Sequence, residues 1–185
     1  MATIIIPEAF AYVAFDADGI RQIVDQLAGS IGLAEHPITI EVDESTPLAR
    51  TKVSIAADGA IHIHADSGAF EDTRLPRQQS NDATATAVGR MLLRASDRIS
   101  GGFRDAPSDD AISLAHTAAW ETHCLGRLDR LGVPVNRQRW LYNFRNRHGF
   151  TDVGDVAFAT LWQSEGLTWG ELTAISDRAA AAAIV

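Results

Sequence analysis

The spacing of apolar residues changes along this chain, and that change restricts the fold more than any other feature. Ile38, Ile40 and Val42 alternate with polar residues, which is the period of a strand with one buried face. Further on, apolar residues recur every three or four positions, as on one face of a helix. This predicts an α+β protein with a small mixed or antiparallel sheet of about four strands, and a mostly helical C-terminal half packed on it.

The segment before Ile38 predicts strand and then helix. Residues 3–6 and 10–15 are short β-prone runs separated by Pro7, forming either one bent strand or two. Apolar residues with helical spacing then run from Ile20 to Ile31. Asp16 or Asp18 is expected to cap this helix, and Gly32 to end it.

Residues 51–66 predict a β-hairpin whose register follows from its pattern. A two-residue turn at 58–59 would mix polar and apolar side chains on both faces of the hairpin. A three-residue loop at 57–59, with Gly59 left-handed, instead pairs Val53 and Ile55 with Ile61 and Ile63. The opposite face then carries Lys52, Ser54, His62 and His64.

The rest of the chain predicts a long connection followed by helices. Residues 67–80 have no periodicity, and loops of this length are often functional or disordered. A helix should begin near Asp82, with Arg90, Arg94 and Arg98 on one side, and end at Gly101. Four further helices are predicted. The first covers 108–132 and has Ser108 as its cap, the second covers 136–148, and the third runs from 151 to near 166. The fourth begins at Thr168, where Glu171 completes a capping box. We predict one domain over 1–185, with the sheet and two helices in 1–104 and a helical part in 105–185.

Charge and cysteine content narrow the classes of function. The chain has 24 acidic and 16 basic residues, a net charge of -8, which disfavours nucleic acid and anionic membranes as partners. One cysteine, Cys124, excludes an intramolecular disulfide and a cysteine-rich zinc site. The N-terminal residues have neither the basic segment nor the apolar length of a signal peptide or membrane span. We therefore predict a cytoplasmic protein.

His62, His64 and Asp66 are candidate metal ligands. Alternate residues of a strand point to the same side, so this His-x-His-x-Asp set would suit zinc or another divalent transition metal if a further donor came from elsewhere. The alternative is a solvated outer sheet face, on which histidine is common.

His116, Trp120 and His123 form one stripe on the helix predicted over 108–132. The two histidines are about 10 Å apart, too far to chelate one ion but suited to lining a groove. The alternative is a partly covered helix face with Trp120 in the core. Cys124 lies next to His123 but points about 100° away, so we interpret it as a structural cysteine.

Residues 127–148 contain six arginines and one acid, Asp129. Arginines interleaved with aromatic side chains are what contacts with phosphate groups or stacked bases would need. The candidate anion- or partner-binding residues are Arg137, Arg139, Trp140, Arg145 and Arg147. The same arginines could instead dock onto the protein's own acidic surface or onto an acidic partner, and we favour this interpretation.

Two resemblances bear on function. The order of helix, strands, hairpin, loop and helix across residues 20–100 is similar to the core of small zincin metallopeptidases. Those enzymes carry His-Glu-x-x-His on the helix after the sheet, whereas residues 86–90 read Thr-Ala-Val-Gly-Arg, so the resemblance implies a scaffold without zinc ligands or a general base. Residues 161–176 resemble the first half of a helix-turn-helix, but a recognition helix is not expected in the nine residues that follow.

These patterns favour a non-catalytic protein that acts through contacts with a protein or a small anion. The competing hypothesis is a metal-dependent hydrolase that uses His62, His64 and Asp66 with a divalent metal as its cofactor. His116 or His123 is then a further candidate residue, across a cleft. The sequence leaves homo-oligomerisation open and specifies neither substrate nor partner.

Overall fold

The computed structural model describes residues 3–183 of the chain. These residues form two compact units, 1–96 and 97–185. The first unit contains the sheets and the second contains most of the helices. The α+β class is therefore confirmed, while a single domain over 1–185 stays a prediction.

A four-stranded mixed sheet is the centre of the first unit. Its strands are β1 (Thr3–Ile6), β2 (Ile38–Asp43), β3 (Thr51–Ile55) and β4 (Ile61–Asp66), in the order β1-β2-β4-β3. β1 is parallel to β2 and β2 is parallel to β4, whereas β3 is antiparallel to β4. Alternate side chains of β1, β2 and most of β4 are buried, and Val53 is the buried residue of β3, which follows the alternation that the sequence predicted for β2 and the hairpin.

The connection between β1 and β2 is the helix α1 (Ala17–Ile31). Asp16 caps its first turn by accepting a hydrogen bond from the Asp18 backbone N–H, and Gly32 ends it in the left-handed conformation. Both ends agree with the sequence prediction. Ile20, Val24 and Leu27 form the buried stripe.

The β3–β4 hairpin has the predicted register. Val53 pairs with Ile63 and Ile55 with Ile61, and Gly59 has a φ of 86° in the turn. The next bridging hydrogen bond joins the Ala56 N–H to the Ala60 carbonyl, which leaves the three loop residues 57–59. The three-residue loop is therefore confirmed.

Residues 10–15 do not form the predicted strand. Only Ala14 makes an isolated bridge, to Gln78. The backbone N–H groups of Ala11 and Tyr12 donate to the Glu44 carboxylate at 2.8 and 2.6 Å. A side chain therefore takes the hydrogen bonds that a neighbouring strand would have accepted.

Residues 67–80 are ordered rather than a featureless loop. A short 3-10 turn at Ser67–Ala69 leads into β5 (Glu71–Asp72) and β6 (Leu75–Gln79), which pair antiparallel. Glu71 fixes this segment because its carboxylate accepts from the Ser67 hydroxyl and from the Arg77 backbone N–H. Such a side-chain network leaves no period in the sequence.

The helix α2 (Asn81–Ile99) follows and contains the boundary between the two units. In the second unit, α3 (Leu114–Arg130) begins later than predicted. Ser113, not Ser108, is its cap, and its hydroxyl accepts from the His116 N–H. Residues after Ser108 form only one 3-10 turn, Asp109–Ala111, and the Ser108 side chain makes no capping hydrogen bond.

The remaining helices begin where the sequence placed them. They are α4 (Arg137–His148), α5 (Asp152–Gln163) and α6 (Trp169–Ala181), capped by Asn136, Thr151 and Thr168. The capping box of Thr168 and Glu171 is present in both directions. No helix within residues 3–183 is long and apolar enough to cross a membrane.

Candidate functional site

The outer face of the sheet carries the two histidines proposed as metal ligands. His62 lies between Thr39 and Ser54 on the neighbouring strands, and His64 lies between Glu41 and Lys52. Both histidines are exposed. This is the shared face that the hairpin register predicted.

The carboxylates near His64 lie on different sides of its ring. Its Nδ1 is 4.0 Å from a carboxylate oxygen of Glu41, and its Nε2 is 3.5 Å from Oδ1 of Asp66. The two ring nitrogens thus face separate carboxylates. Asp66 is buried, and its other oxygen accepts from Arg50 Nε at 2.7 Å.

No group of three or more His, Cys, Asp or Glu side chains within residues 3–183 is arranged to hold a metal ion. A metal on His62 and His64 would need donors that the sequence did not identify. The metal site accordingly stays a prediction.

The stripe of His116, Trp120 and His123 lies mostly in the core of the second unit. Trp120 and His123 are buried, and the Phe103 ring stacks on Trp120 with 4.8 Å between centroids. Only His116 is partly exposed, and its Nε2 is 2.8 Å from Asp177. Most of the stripe is thus packed against other segments rather than open to a groove.

Asp97 organises this region, although no pattern in the sequence indicated it. Its carboxylate accepts from Trp120 Nε1 at 2.7 Å and from both terminal nitrogens of Arg127, each at 2.7 Å. Asp97 is buried and Arg127 half-buried. Trp120 and Arg127 are seven residues apart on α3, but their common acceptor comes from α2, so spacing along one helix could not identify it.

His123 is a buried neutral imidazole. Its Nδ1 lies 3.3 Å from the Leu161 carbonyl, which can only accept, so the proton is on Nδ1. Within residues 3–183 its Nε2 has no hydrogen-bond partner. Burial, together with the charge of Arg127, lowers the pKa of His123 to about 4.

His148 and Ser176 form a second buried pair that the sequence did not predict. His148 Nε2 is 2.8 Å from the Ser176 hydroxyl, while its Nδ1 bonds the Phe144 carbonyl at 3.1 Å. This resembles a nucleophile with its base, but neither residue has any exposed surface. Burial also lowers the pKa of His148. We interpret the pair as a structural link between α4 and α6.

Four of the six arginines in residues 127–148 contact the protein itself. Arg127 pairs with Asp97, Arg130 with Glu165, and Arg145 with Asp155. The Arg137 guanidinium lies over the rings of Phe158 and Trp162, 5.3 and 5.6 Å from their centroids. These four are therefore largely committed to intramolecular contacts.

Arg139 and Arg147 differ from the other four. Both are exposed, as are Arg130 and Arg137, but neither Arg139 nor Arg147 makes an ion pair or a contact with an aromatic ring within the described part of the chain. They lie on α4, which has no acidic residue. Trp140, the remaining residue of the predicted set, is half-buried.

The exposed positions around these arginines are uniformly polar donors or aromatic. We call them the α4 face: Gln138, Arg139, Tyr142, Asn143, Asn146 and Arg147. Tyr142 is 59% exposed and packs edge-on against Phe150, which is 63% exposed. The arginines of this surface, and Tyr142 among the aromatic residues between them, were recognised from the sequence, whereas Phe150 was not.

Asp155 limits the positive charge beside the α4 face. Arg145 donates two hydrogen bonds to its carboxylate, which lowers the pKa of Asp155 and keeps the pair ionised. Arg145 also lies 5.8 Å from the Phe150 ring. On α5, Val153 and Val156 are exposed apolar residues.

Comparison of the chain with protein-family models, with curated protein sequences and with solved structures found no match in any of the three. The function is therefore argued from the chemistry of these residues. The resemblance to zincins stays a hypothesis.

Proposed function

We propose that this protein works in the cytoplasm as a non-catalytic binding protein, with the α4 face as its docking surface for another protein. The observation that carries the proposal is the combination of two exposed arginines without an ion pair in residues 3–183 and an exposed aromatic pair, Tyr142 and Phe150, beside them.

The composition of this surface supports a protein partner. Arginine and tyrosine are enriched where proteins bind each other, because each combines a large contact area with hydrogen bonding. Large exposed aromatic side chains cost free energy in water unless something covers them. The buried histidines support a structural role better than a catalytic one, because His123 and His148 have no access to a substrate.

A photo-crosslinking experiment tests the proposal. A photoreactive phenylalanine analogue replaces Tyr142, and Tyr12, which is also exposed but lies in the first unit, provides the matched control. We expect a discrete crosslinked species from position 142 in cells, absent from position 12 and lost when Arg139 and Arg147 are both changed to alanine. Equal crosslinking from both positions would contradict the proposal.

A metal-dependent hydrolase remains the second candidate, because His62 and His64 share one exposed face of β4. Elemental analysis of protein purified without chelators separates the two candidates. Near-stoichiometric metal in the native protein, and none in His62→Ala and His64→Ala variants, would favour the hydrolase. We expect no stoichiometric metal in any of the three proteins.

A further inference from the structure

We infer that the α4 face binds a short acidic segment of a partner protein, in which two carboxylates engage Arg139 and Arg147 and a nearby apolar side chain packs on Tyr142 and Phe150. This inference rests on the proposed docking function and specifies the chemistry of the partner.

The hydrogen-bonding character of the face identifies what it can bind. Arg139, Asn143 and Arg147 recur every four residues and so form one stripe along α4. Arginine can only donate, and α4 supplies no carboxylate of its own to either guanidinium. A carboxylate matches the planar guanidinium fork with two parallel hydrogen bonds.

The positions of the two arginines set the spacing of the carboxylates. Arg139 and Arg147 are eight residues apart, which corresponds to about 12 Å along a helix axis. An extended peptide covers this distance in about four residues. The simplest matching segment is therefore extended, with acidic residues at positions i and i+4.

Two further observations favour a peptide over nucleic acid. The net charge of -8 repels a long polyanion, while a short acidic segment responds mainly to the local arginines. The exposed ring of Phe150, which packs on Tyr142, offers nothing to a phosphate backbone but suits aliphatic or aromatic side chains. Arg145 adds no free charge for phosphates, because Asp155 neutralises it.

The test uses the full chain and three fluorescent probes in anisotropy titrations. The first is a set of peptides with Glu at i and i+4 and Leu or Phe between them. The second is the same set with Gln in place of Glu, and the third is a single-stranded oligonucleotide. We expect the Glu peptides to bind at least about tenfold more tightly than the Gln peptides. The affinity for the Glu peptides should fall as the salt concentration is raised.

Variants locate the binding surface. The double variant Arg139→Ala and Arg147→Ala should weaken the binding of the Glu peptides by about tenfold or more. Tyr142→Ala should lower the affinity for the Glu peptides and for the Gln peptides to the same extent. Arg178→Ala is the matched control, because Arg178 is an exposed arginine of the second unit on α6, outside the α4 face. It should leave the affinity unchanged.

Three results would overturn the inference. They are equal affinity for the Glu and Gln peptides, tighter binding of the oligonucleotide than of the Glu peptides, or a loss of affinity in Arg178→Ala as large as in the Arg139 and Arg147 double variant. If a crosslink from position 142 to a protein persists alongside any of these, the docking function stands and the acidic partner is wrong. If position 142 gives no specific crosslink either, both proposals fail.

Discussion

Asp97 is the single carboxylate on which Trp120 and Arg127 converge in the second unit. Removing it by Asp97→Ala leaves the half-buried Arg127 charge without its carboxylate and the Trp120 N–H without its acceptor. We expect the free energy of unfolding to fall by about 3–5 kcal/mol, as for other buried pairs that lose one partner. Urea unfolding followed by tryptophan fluorescence measures this, because all four tryptophans lie in the second unit.

Asp155→Ala provides the matched control, since Asp155 also pairs with an arginine but is 39% exposed. Solvent screens such a pair, and its loss should cost at most about 1 kcal/mol. Equal losses in the two variants would show that the Asp97 network contributes no more to stability than a surface ion pair.

His123 should make stability depend on pH. Its pKa is about 4 in the folded protein and about 6.5 when unfolded, so only the unfolded chain binds this proton between those values. The free energy of unfolding therefore falls as the pH drops from about 6.5 to about 4, by at most about 3 kcal/mol from this residue. In His123→Gln, the stability deficit relative to the native protein should shrink over the same window, measured by urea unfolding at a series of pH values.

Phe103→Leu separates titration from packing, because Phe103 stacks parallel to the His123 ring without carrying a proton. The loss of unfolding free energy in Phe103→Leu, relative to the native protein, should stay constant between pH 6.5 and 4. A deficit for His123→Gln that is equally constant would show that the buried imidazole titrates normally.

At the candidate site, the sequence predicted least well which residues contact each other in the folded protein. Helical spacing correctly put His116, Trp120 and His123 on one stripe. It could not show that Phe103 stacks on Trp120 or that the Leu161 carbonyl contacts His123. Likewise, the sequence counted six arginines but not their acidic partners, which come from α2, from α5 and from the residues after α5.

Gly126 allows α3 and α5 to approach each other closely. A Cβ at this position would lie 1.9 Å from the Trp162 backbone carbonyl oxygen, and backbone cannot move aside as a flexible side chain can. Gly126→Ala should therefore force the two helices apart and lower the free energy of unfolding by about 3 kcal/mol. Thermal unfolding followed by circular dichroism and tryptophan fluorescence would measure the loss.

Gly170→Ala is the control for this substitution, because a Cβ there meets no atom within 4 Å and α6 is also in the second unit. Alanine favours helix over glycine, so stability should stay the same or rise by up to about 1 kcal/mol. A comparable loss in both variants would argue against a close α3–α5 contact.

The elements that the sequence predicted correctly are those whose signals are local. Asp16, Asn136, Thr151 and Thr168 each cap a helix within three residues of their own position, and the hairpin register followed from adjacent apolar pairs. Apart from the start of α3, the errors arose where residues distant in sequence determine the structure. Glu44 takes backbone hydrogen bonds of residues 10–15, so this segment does not form a strand. Glu71 orders residues 67–80 through contacts that a short stretch of sequence does not reveal.

At the scale of the whole molecule, α2 is continuous across the boundary between residues 96 and 97. Unfolding one unit alone would leave only part of this helix, and a short helical fragment has little stability by itself. We therefore expect one cooperative transition in urea, as the single-domain hypothesis requires. Tryptophan fluorescence follows the second unit, and hydrogen exchange at α1 and β2 follows the first. Coincident midpoints would support one domain over 1–185, whereas two separated transitions would show that the units fold independently.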